Sequence, residues 1–300
     1  MITLFTPTYN RAYILDKLYQ SLRAQCCADF EWLVIDDGST DETETLFRQW
    51  MHESNRFVIR YLKVPNGGKQ RAINRALELA QGEIFFIVDS DDVLMPHAIQ
   101  FIRDKFATLP DDPKLIGLSG IKGRISDGKP YNEAIQIDPE IGYVDATNIE
   151  REAYGLKEDM AEAFYTRKLK HYTFPVWENE RFTPEAVVWD QIALDGYKLR
   201  WFDEVIYLCE YREDGLTRAS WKLLKENPMG YAMLFNTQLR YQSSLKEQVN
   251  LTLQFISCCC LAGEYDYISH CTSGALAYLL FPAGWMLSRR RRKQFEQYIP

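Results

Sequence analysis

The feature that most constrains this chain is an alternation over its first 110 residues. Short β-rich runs, each ending in a polar cluster, alternate with segments of helical period. Ile2–Thr6 is a first strand, ended by Pro7, and Ala12–Ala24 places Ile14, Leu15, Leu18 and Leu22 at helical spacing. Glu31–Ile35 is a second strand, followed by DDGSTD, whose Asp41 caps a helix carrying Leu46, Phe47 and Trp50. Phe57–Lys63 is a third strand. Gly68–Ala80 is a helix, and Gly82 suits its C-terminal cap. Glu83–Val88 (EIFFIV) is continuously apolar from Ile84 on, which predicts a central strand, and it runs straight into Asp89-Ser90-Asp91-Asp92. Pro96 opens a helix that reaches Leu109. Such a βαβαβαβ series predicts an α/β fold with a mostly parallel central sheet, flanking helices, and ligands at the C-terminal strand ends. TPTYNR, DDGSTD and DSDD all fall at those ends.

The second half is less regular. Leu115–Ile125, Tyr143–Ile149, Met160–Thr166 and Arg200–Cys209 read as strands, and Phe182–Leu194 as a helix introduced by Pro184. From about Ser220 the chain turns helical and aromatic. With 300 residues, 46% of them hydrophobic, it has enough apolar side chain for one large core or two moderate ones. A net charge of −7 excludes a globally basic surface for nucleic acid. Seven cysteines without a CxxC pair make neither a disulfide framework nor a zinc site, and reduced, mostly buried thiols of a cytosolic protein are expected. The opening MITLFTPTYN lacks a basic leader segment, and the longest apolar stretch, Gly274–Leu287, is shorter than the ~20 residues of a membrane span. A cytoplasmic location is expected.

Three carboxylates within Asp89–Asp92 repel one another, and a divalent cation would remove that repulsion. Mg²⁺ or Mn²⁺ takes one or two carboxylates and fills its other positions with phosphate and water. The competing reading is a solvated acidic turn before Pro96. In TPTYNR, Thr6 and Thr8 offer hydroxyl and backbone groups, Tyr9 an aromatic face for a base, and Arg11 a phosphate partner; a plain helix-capping turn is the alternative. One carboxylate of Asp36-Asp37 suits a base edge, or simply an Asp-Gly turn. Asn66–Arg71 places glycines, Lys69 and Arg71 at a helix N-terminus, which favours anions, although it is neither a Walker A loop nor GxGxxG.

In this order and spacing, TPTYNR, VIDDGSTD, NGGKQRAINRAL and GEIFFIVDSDDVLMP resemble glycosyltransferase family 2 on the GT-A fold, over roughly residues 1–110. The resemblance implies an inverting, metal-dependent enzyme that moves a sugar from a nucleoside-diphosphate sugar to an acceptor hydroxyl, in surface polysaccharide or glycolipid synthesis. It implies that Pro7 and Tyr9 frame the nucleoside pocket, Asp37 holds the base, Lys69 or Arg71 approaches the diphosphate, Asp89 sits near the ribose, and Asp91 is the metal ligand. Thr6, Thr8 and Arg11 complete the donor set. The family's acidic pair is matched by Pro184-Glu185, which makes Glu185 the catalytic base with Asp190 as its rival. Arg212, in YREDGLT, is a further diphosphate contact. The implied organisation is a catalytic domain over residues 1–219, with a donor half 1–110 and an acceptor half 111–219, followed by a helical, aromatic and basic extension 220–300. Two other classes compete: a nucleotide-binding or sensing module on the same fold, and a nucleotidyltransferase.

The extension carries its own expectation. GALAYLLFPAGWML is nearly without charge and is followed at once by Arg289–Arg292 and Lys293. Two readings stand level. One is a segment lying in the interface of an anionic membrane, at the inner face of the plasma membrane, with Pro282 interrupting it; the other is a helical hairpin packed as core with a solvated basic tail. The acceptor, a saccharide or lipid-linked saccharide, is not specified by any residue pattern.

Overall fold

The strands of the first half form as the apolar runs demand, and they line up as a parallel sheet. A computed structural model describes residues 1–131, 134–210 and 220–298. The chain divides into two units, Met1–Thr173 with Asp195–Glu210, and Phe174–Leu194 with Tyr211–Pro300.

In the first unit the order is β1 (Ile2–Thr8), α1 (Leu15–Arg23), β2 (Phe30–Asp36), α2 (Thr43–His52), β3 (Val58–Lys63), α3 (Lys69–Leu79) and β4 (Ile84–Ile87). Then come β5 (Val93–Leu94), α4 (Ala98–Ala107), β6 (Leu115–Arg124), β7 (Tyr143–Ala146), β8 (Met160–Tyr165), α5 (Thr166–Leu169) and β9 (Lys198–Cys209). Among the described residues the sheet runs β3-β2-β1-β4-β8-β6-β9-β5, and β7 also pairs with β9. The half β3-β2-β1-β4 is parallel throughout. β8 enters antiparallel between β4 and β6, and β6 is again parallel to β9.

Apolar side chains hold this unit together. Trp32 of β2 is fully buried against Phe47 of α2, and Tyr19 of α1 stacks on Trp50 with ring centroids 4.4 Å apart. Leu15, Leu18 and Leu22 face inward, as the helical spacing predicts.

Two local expectations are corrected here. β1 does not stop at Pro7 but continues to Thr8 beside Asp36. The β1–β4 ladder ends at Phe5↔Ile87, and Pro7 faces that same side, so its missing N–H breaks no ladder bond. Gly82 is not a helix cap: α3 ends at Ala80 in an extended conformation. Gly82 is instead required by close approach, because a Cβ there would lie 2.4 Å from the Thr3 nitrogen.

The second unit contains α6 (Ala186–Leu194), α7 (Ser220–Glu226), α8 (Pro228–Gln238), α9 (Leu245–Ala262) and α10 (Ala275–Tyr298). The C-terminal part is helical as expected, with Phe255, Ile256 and Cys258–Cys260 of α9 at its core. Six cysteines are buried and Cys26 is exposed, all as free thiols. α6 starts at Ala186 rather than Phe182, because residues 182–184 are held outside the helix by contacts with Asn227 and with Gly230 of α8. Pro282 does not interrupt α10, which is continuous across it. The proline lies on the exposed face, where the carbonyl it leaves unbonded one turn earlier meets solvent.

Gly82→Ala should therefore cost about 1–3 kcal/mol of stability, the usual penalty of forcing an extra carbon into a packed site. Urea denaturation measures it; an unchanged midpoint would show that the start of β4 yields freely.

Candidate active site

Parallel pairing brings the polar clusters to one edge. Thr8 and Asp36 are the last register pair of β1 and β2, and the Asp37 amide donates to the Thr8 carbonyl at 2.8 Å. The Val88 amide donates to the Phe5 carbonyl at 2.8 Å, so β4 delivers Asp89–Asp92 beside the end of β1. The loops after β1 and β2 are tied together. Asn10 takes a positive φ of 52°, its amide donates to Ser39 Oγ at 2.8 Å, and its Oδ1 accepts from the Thr40 amide at 2.8 Å. A short polar side chain that bonds locally makes this backbone conformation tolerable.

Asp37 fixes the third loop. Its Oδ1 accepts from the Gly67 amide at 2.7 Å, its Oδ2 from the Gly68 amide at 2.8 Å, and Asn66 Nδ2 donates to that same Oδ2 at 3.0 Å. Gly38, with φ +81°, has no room for a side chain, since a Cβ would lie 2.9 Å from the Asn66 nitrogen. Asp36 is fully buried and accepts from the Ser39 amide at 2.8 Å and from the Tyr61 hydroxyl. α3 therefore starts at a set place. Its first residue, Lys69, reaches Asp89 Oδ1 at 2.7 Å, while Arg71 donates to the Gly67 carbonyl at 2.6 Å and braces the loop.

The acidic turn is surrounded by cations from several elements. Arg11 lies 3.9 Å from Asp91, whose side chain is 20% exposed. Burial disfavours ionisation of Asp89, yet Lys69, Lys122 and Arg11 outweigh it and hold the carboxyl below its ordinary range. Asp92 goes the other way. Burial, then repulsion from Asp89, pushes its carboxyl up to about 7, against the pull of Lys122 and of a hydrogen bond from Tyr207. The Tyr207 hydroxyl donates to Asp92 Oδ2 at 2.7 Å and accepts from the Asp89 amide at 3.0 Å, closing a bridge across the turn. Lys122 Nζ sits 4.5 Å from the Tyr207 ring centroid. Burial lowers the Lys122 pKa, but Asp89, Asp159, Asp92 and Glu162 more than reverse that.

Lys122 and Tyr207 were missed by sequence reasoning. Tyr207 looks like any strand aromatic, but Lys122 left a signal, a cation directly after the uncharged run LIGLSGI. The expected donor residues are otherwise spread over different environments. Thr6 is turned into the core, where its Oγ1 accepts from Trp32 Nε1 at 3.0 Å. Thr8 is buried at the strand end, and its hydroxyl lacks a hydrogen-bond partner among the described residues. Tyr9 is 48% exposed.

In the second unit, Glu185 is half-buried immediately before α6, and its carbonyl accepts from the Val188 amide at 2.8 Å. Asp190 is buried and accepts from the Tyr241 hydroxyl at 3.0 Å. The loop ahead of Glu185 is anchored to α8. Glu180 accepts from the Met229 and Gly230 amides at 2.7 and 2.8 Å, and Asn227 Oδ1 accepts from the amides of Arg181 and Phe182 at 2.8 and 3.0 Å. Arg212 lies outside the described residues. Among the described residues, no three or more His, Cys, Asp or Glu side chains are grouped where they alone could hold a metal ion.

Residues 3–145 match the model of glycosyl transferase family 2. The chain carries a family 2 glycosyltransferase domain. Known relatives extend the likeness. The putative teichuronic acid biosynthesis glycosyltransferase TuaG of Bacillus subtilis is 25% identical over 233 residues, 75% of this chain and 85% of that one. The chondroitin synthase of Escherichia coli is 31% identical over 106 residues, 35% of this chain. Matches to several relatives span a small share of their length, 15% of that synthase and 24% of the Staphylococcus aureus poly(ribitol-phosphate) β-N-acetylglucosaminyltransferase TarS. In fold, the chain is similar to residues 1–349 of S. aureus TarS in complex with UDP, with a TM-score of 0.58 at 17% identity, over 99% of this chain and 91% of that one. It is also similar to the mannosyltransferase PcManGT of Pyrobaculum calidifontis in complex with GDP-Man and Mn²⁺, with a TM-score of 0.56 at 20% identity, over 98% and 82% of the two chains. The mixed sheet, parallel over β3-β2-β1-β4, is thus the GT-A arrangement.

Tyr207→Phe tests the bridge across the acidic turn. It leaves the buried Asp92 carboxyl without its donor, which should cost about 1–3 kcal/mol. Urea denaturation at neutral pH reads the loss, and parental stability would mean that the bridge does not hold the turn.

Proposed function

We propose that this chain is an inverting glycosyltransferase that moves a sugar from a nucleoside-diphosphate sugar to an acceptor hydroxyl, in surface polysaccharide or glycolipid synthesis. The observation that carries the reading is the convergence of three polar clusters at adjacent parallel strand ends, with Lys69 on Asp89 and Arg11 by Asp91. The orphaned Thr8 hydroxyl at the same edge supports it, because a buried hydroxyl without a partner is costly unless a ligand supplies one.

The donor would lie along this edge. Tyr9 offers its exposed ring to the base, and Pro7 borders the same pocket. Asp37 preforms the 66–68 loop and is assigned to a base edge, and Asp89 to the ribose. Lys69 and Arg11 face the diphosphate, with Arg71 bracing the loop and Arg212 a further contact. Mg²⁺ or Mn²⁺ fits Asp91: the carboxylate is partly exposed and meets Arg11 only beyond hydrogen-bond length, and an ion of this kind needs one or two protein carboxylates when phosphate and water supply the rest. Bound there, it would stabilise the negative charge that develops on the leaving diphosphate.

Glu185 is proposed as the base. It takes the proton of the acceptor hydroxyl as that oxygen bonds to the anomeric carbon. The bond from that carbon to the diphosphate oxygen breaks, and its electron pair leaves with the nucleotide. A single displacement inverts the centre and needs no enzyme nucleophile. The buried Asp190, already bonded to Tyr241, suits a structural role better.

Incubation with UDP-GlcNAc, GDP-Man and other nucleotide sugars plus Mn²⁺ tests the reading. Release of free nucleoside diphosphate supports transfer. Pyrophosphate release from nucleoside triphosphates would mark a nucleotidyltransferase, and binding without turnover across acceptors would mark a sensing module. Asp91→Asn should abolish turnover while the fold is retained, and full activity of that variant, or full activity of the unmutated chain in excess EDTA, would sink the metal assignment. Glu185→Gln should keep nucleotide binding and lose roughly 10²–10⁴ in rate, the usual worth of a general base. If Asp190→Asn produces that loss and Glu185→Gln does not, the base is Asp190.

A further inference from the structure

α10 has two faces of different chemistry. Its inward face is core. Ala277 and Phe295 are buried, and Gly284 lies so close to α9 that a Cβ would stand 2.5 Å from Ile256 Cγ2. Arg291 also turns inward, donating to Ser257 Oγ at 3.1 Å and to Gln254. The outward face is apolar over its first half. Tyr278, Leu279, Trp285 and Met286 are 64%, 76%, 39% and 60% exposed, and Ala275 and Pro282 complete the same stripe. Continuing the 3.6-residue period, the stripe passes into Arg289, Arg290 and Lys293, all exposed. Arg289 lies over the Trp285 ring at 5.0 Å, joining the two halves. Glu296 is the one acidic residue in the helix.

We propose that this outward face docks flat on an anionic lipid bilayer, its apolar half entering the interface and Arg289, Arg290 and Lys293 meeting the headgroups. The structure thus divides the basic run, giving Arg291 to the core and three of its neighbours to the surface. Three observations select lipid as the occupant. Tyr278 and Trp285 are of the aromatic type that favours the interfacial layer. The cations form a compact cluster on a chain of net charge −7, so the attraction is local and needs an anionic surface. No helix among the described residues is long and apolar enough to cross a membrane, which leaves the in-plane geometry. A second copy suits the face poorly. Antiparallel pairing would bury guanidinium groups against the partner's apolar stripe, and parallel pairing would set like charges together. The inference stands on α10 alone and does not depend on the transfer reaction.

Flotation of the full chain with phosphatidylcholine vesicles, with and without phosphatidylglycerol, tests it. The protein should float with the anionic vesicles at low salt and be released by high salt. Arg290→Gln with Lys293→Gln should weaken binding about 30-fold, at about 1 kcal/mol for each basic residue near the surface. Leu279→Ser with Met286→Ser should weaken it at least about 10-fold, from the apolar area kept in water. All four positions are solvent-exposed, and unchanged thermal unfolding of the variants verifies that the fold is intact. Absence of flotation, equal binding to neutral vesicles, or parental binding by both double variants would overturn the proposal. So would a dimer in sedimentation that Leu279→Ser with Met286→Ser dissociates, which would assign the face to a second copy.

Discussion

Carboxylates gathered at the end of a buried strand must be faced by cations and hydrogen-bond donors, or the strand cannot end there. The first unit is built around that requirement. Asp89, Asp91 and Asp92 follow β4, and what balances them comes from four other places: Lys69 from the start of α3, Arg11 from the loop after β1, Lys122 from β6 and Tyr207 from β9. Each must arrive within a few ångströms, so the requirement fixes where α3 begins and which strands stand beside β4. Asp37 extends the same logic one shell out. By seating the Gly67 and Gly68 amides it decides where Lys69 emerges. The opposite directions of the Asp89 and Asp92 pKa shifts show a turn that is balanced but not uniformly neutralised.

The parallel half of the sheet was legible in the sequence because its signals are local. A strand, its polar end and the following helix lie within about thirty residues, and the periodicity of each is visible without knowing its neighbours. Apart from Thr6, which is turned into the core, the clusters at Thr6–Arg11, Asp37, Asn66–Arg71 and Asp89–Asp92 do meet at one edge. What the sequence hid is long-range. The antiparallel insertion of β8 between β4 and β6 depends on strand order, which no local pattern encodes. Tyr207 bonds to residues 115 and 118 positions away. Gly82 was misread because a glycine after a helix looks like a cap, while the real demand is the nearby Thr3 backbone.

The second unit shows the same division. That its C-terminal part is helical follows from composition and period. That Pro282 sits inside a continuous helix follows from which side of α10 meets solvent, a tertiary matter. The arginine run read as one block of charge, yet helical geometry sends Arg291 to hydrogen bonds in the core and Arg289, Arg290 and Lys293 outward. Glu185 and Asp190, equal as letters, differ in the same way: one half-buried at a helix start, the other buried under a tyrosine hydroxyl.

The first unit is also discontinuous along the chain, because residues 174–194 belong to the second unit before Asp195–Glu210 return with β9. β9 pairs with β5, β6 and β7 and supplies Tyr207. Ribosomal synthesis therefore delivers β1 to β8 well before the strand that completes their sheet. Until β9 docks, the acidic turn lacks its bridge, and β6 has an open edge that invites wrong pairings. No single cut isolates the first unit, so an expression fragment ending after β8 would carry every polar cluster of the parallel strand ends and still lack the strand that locks them.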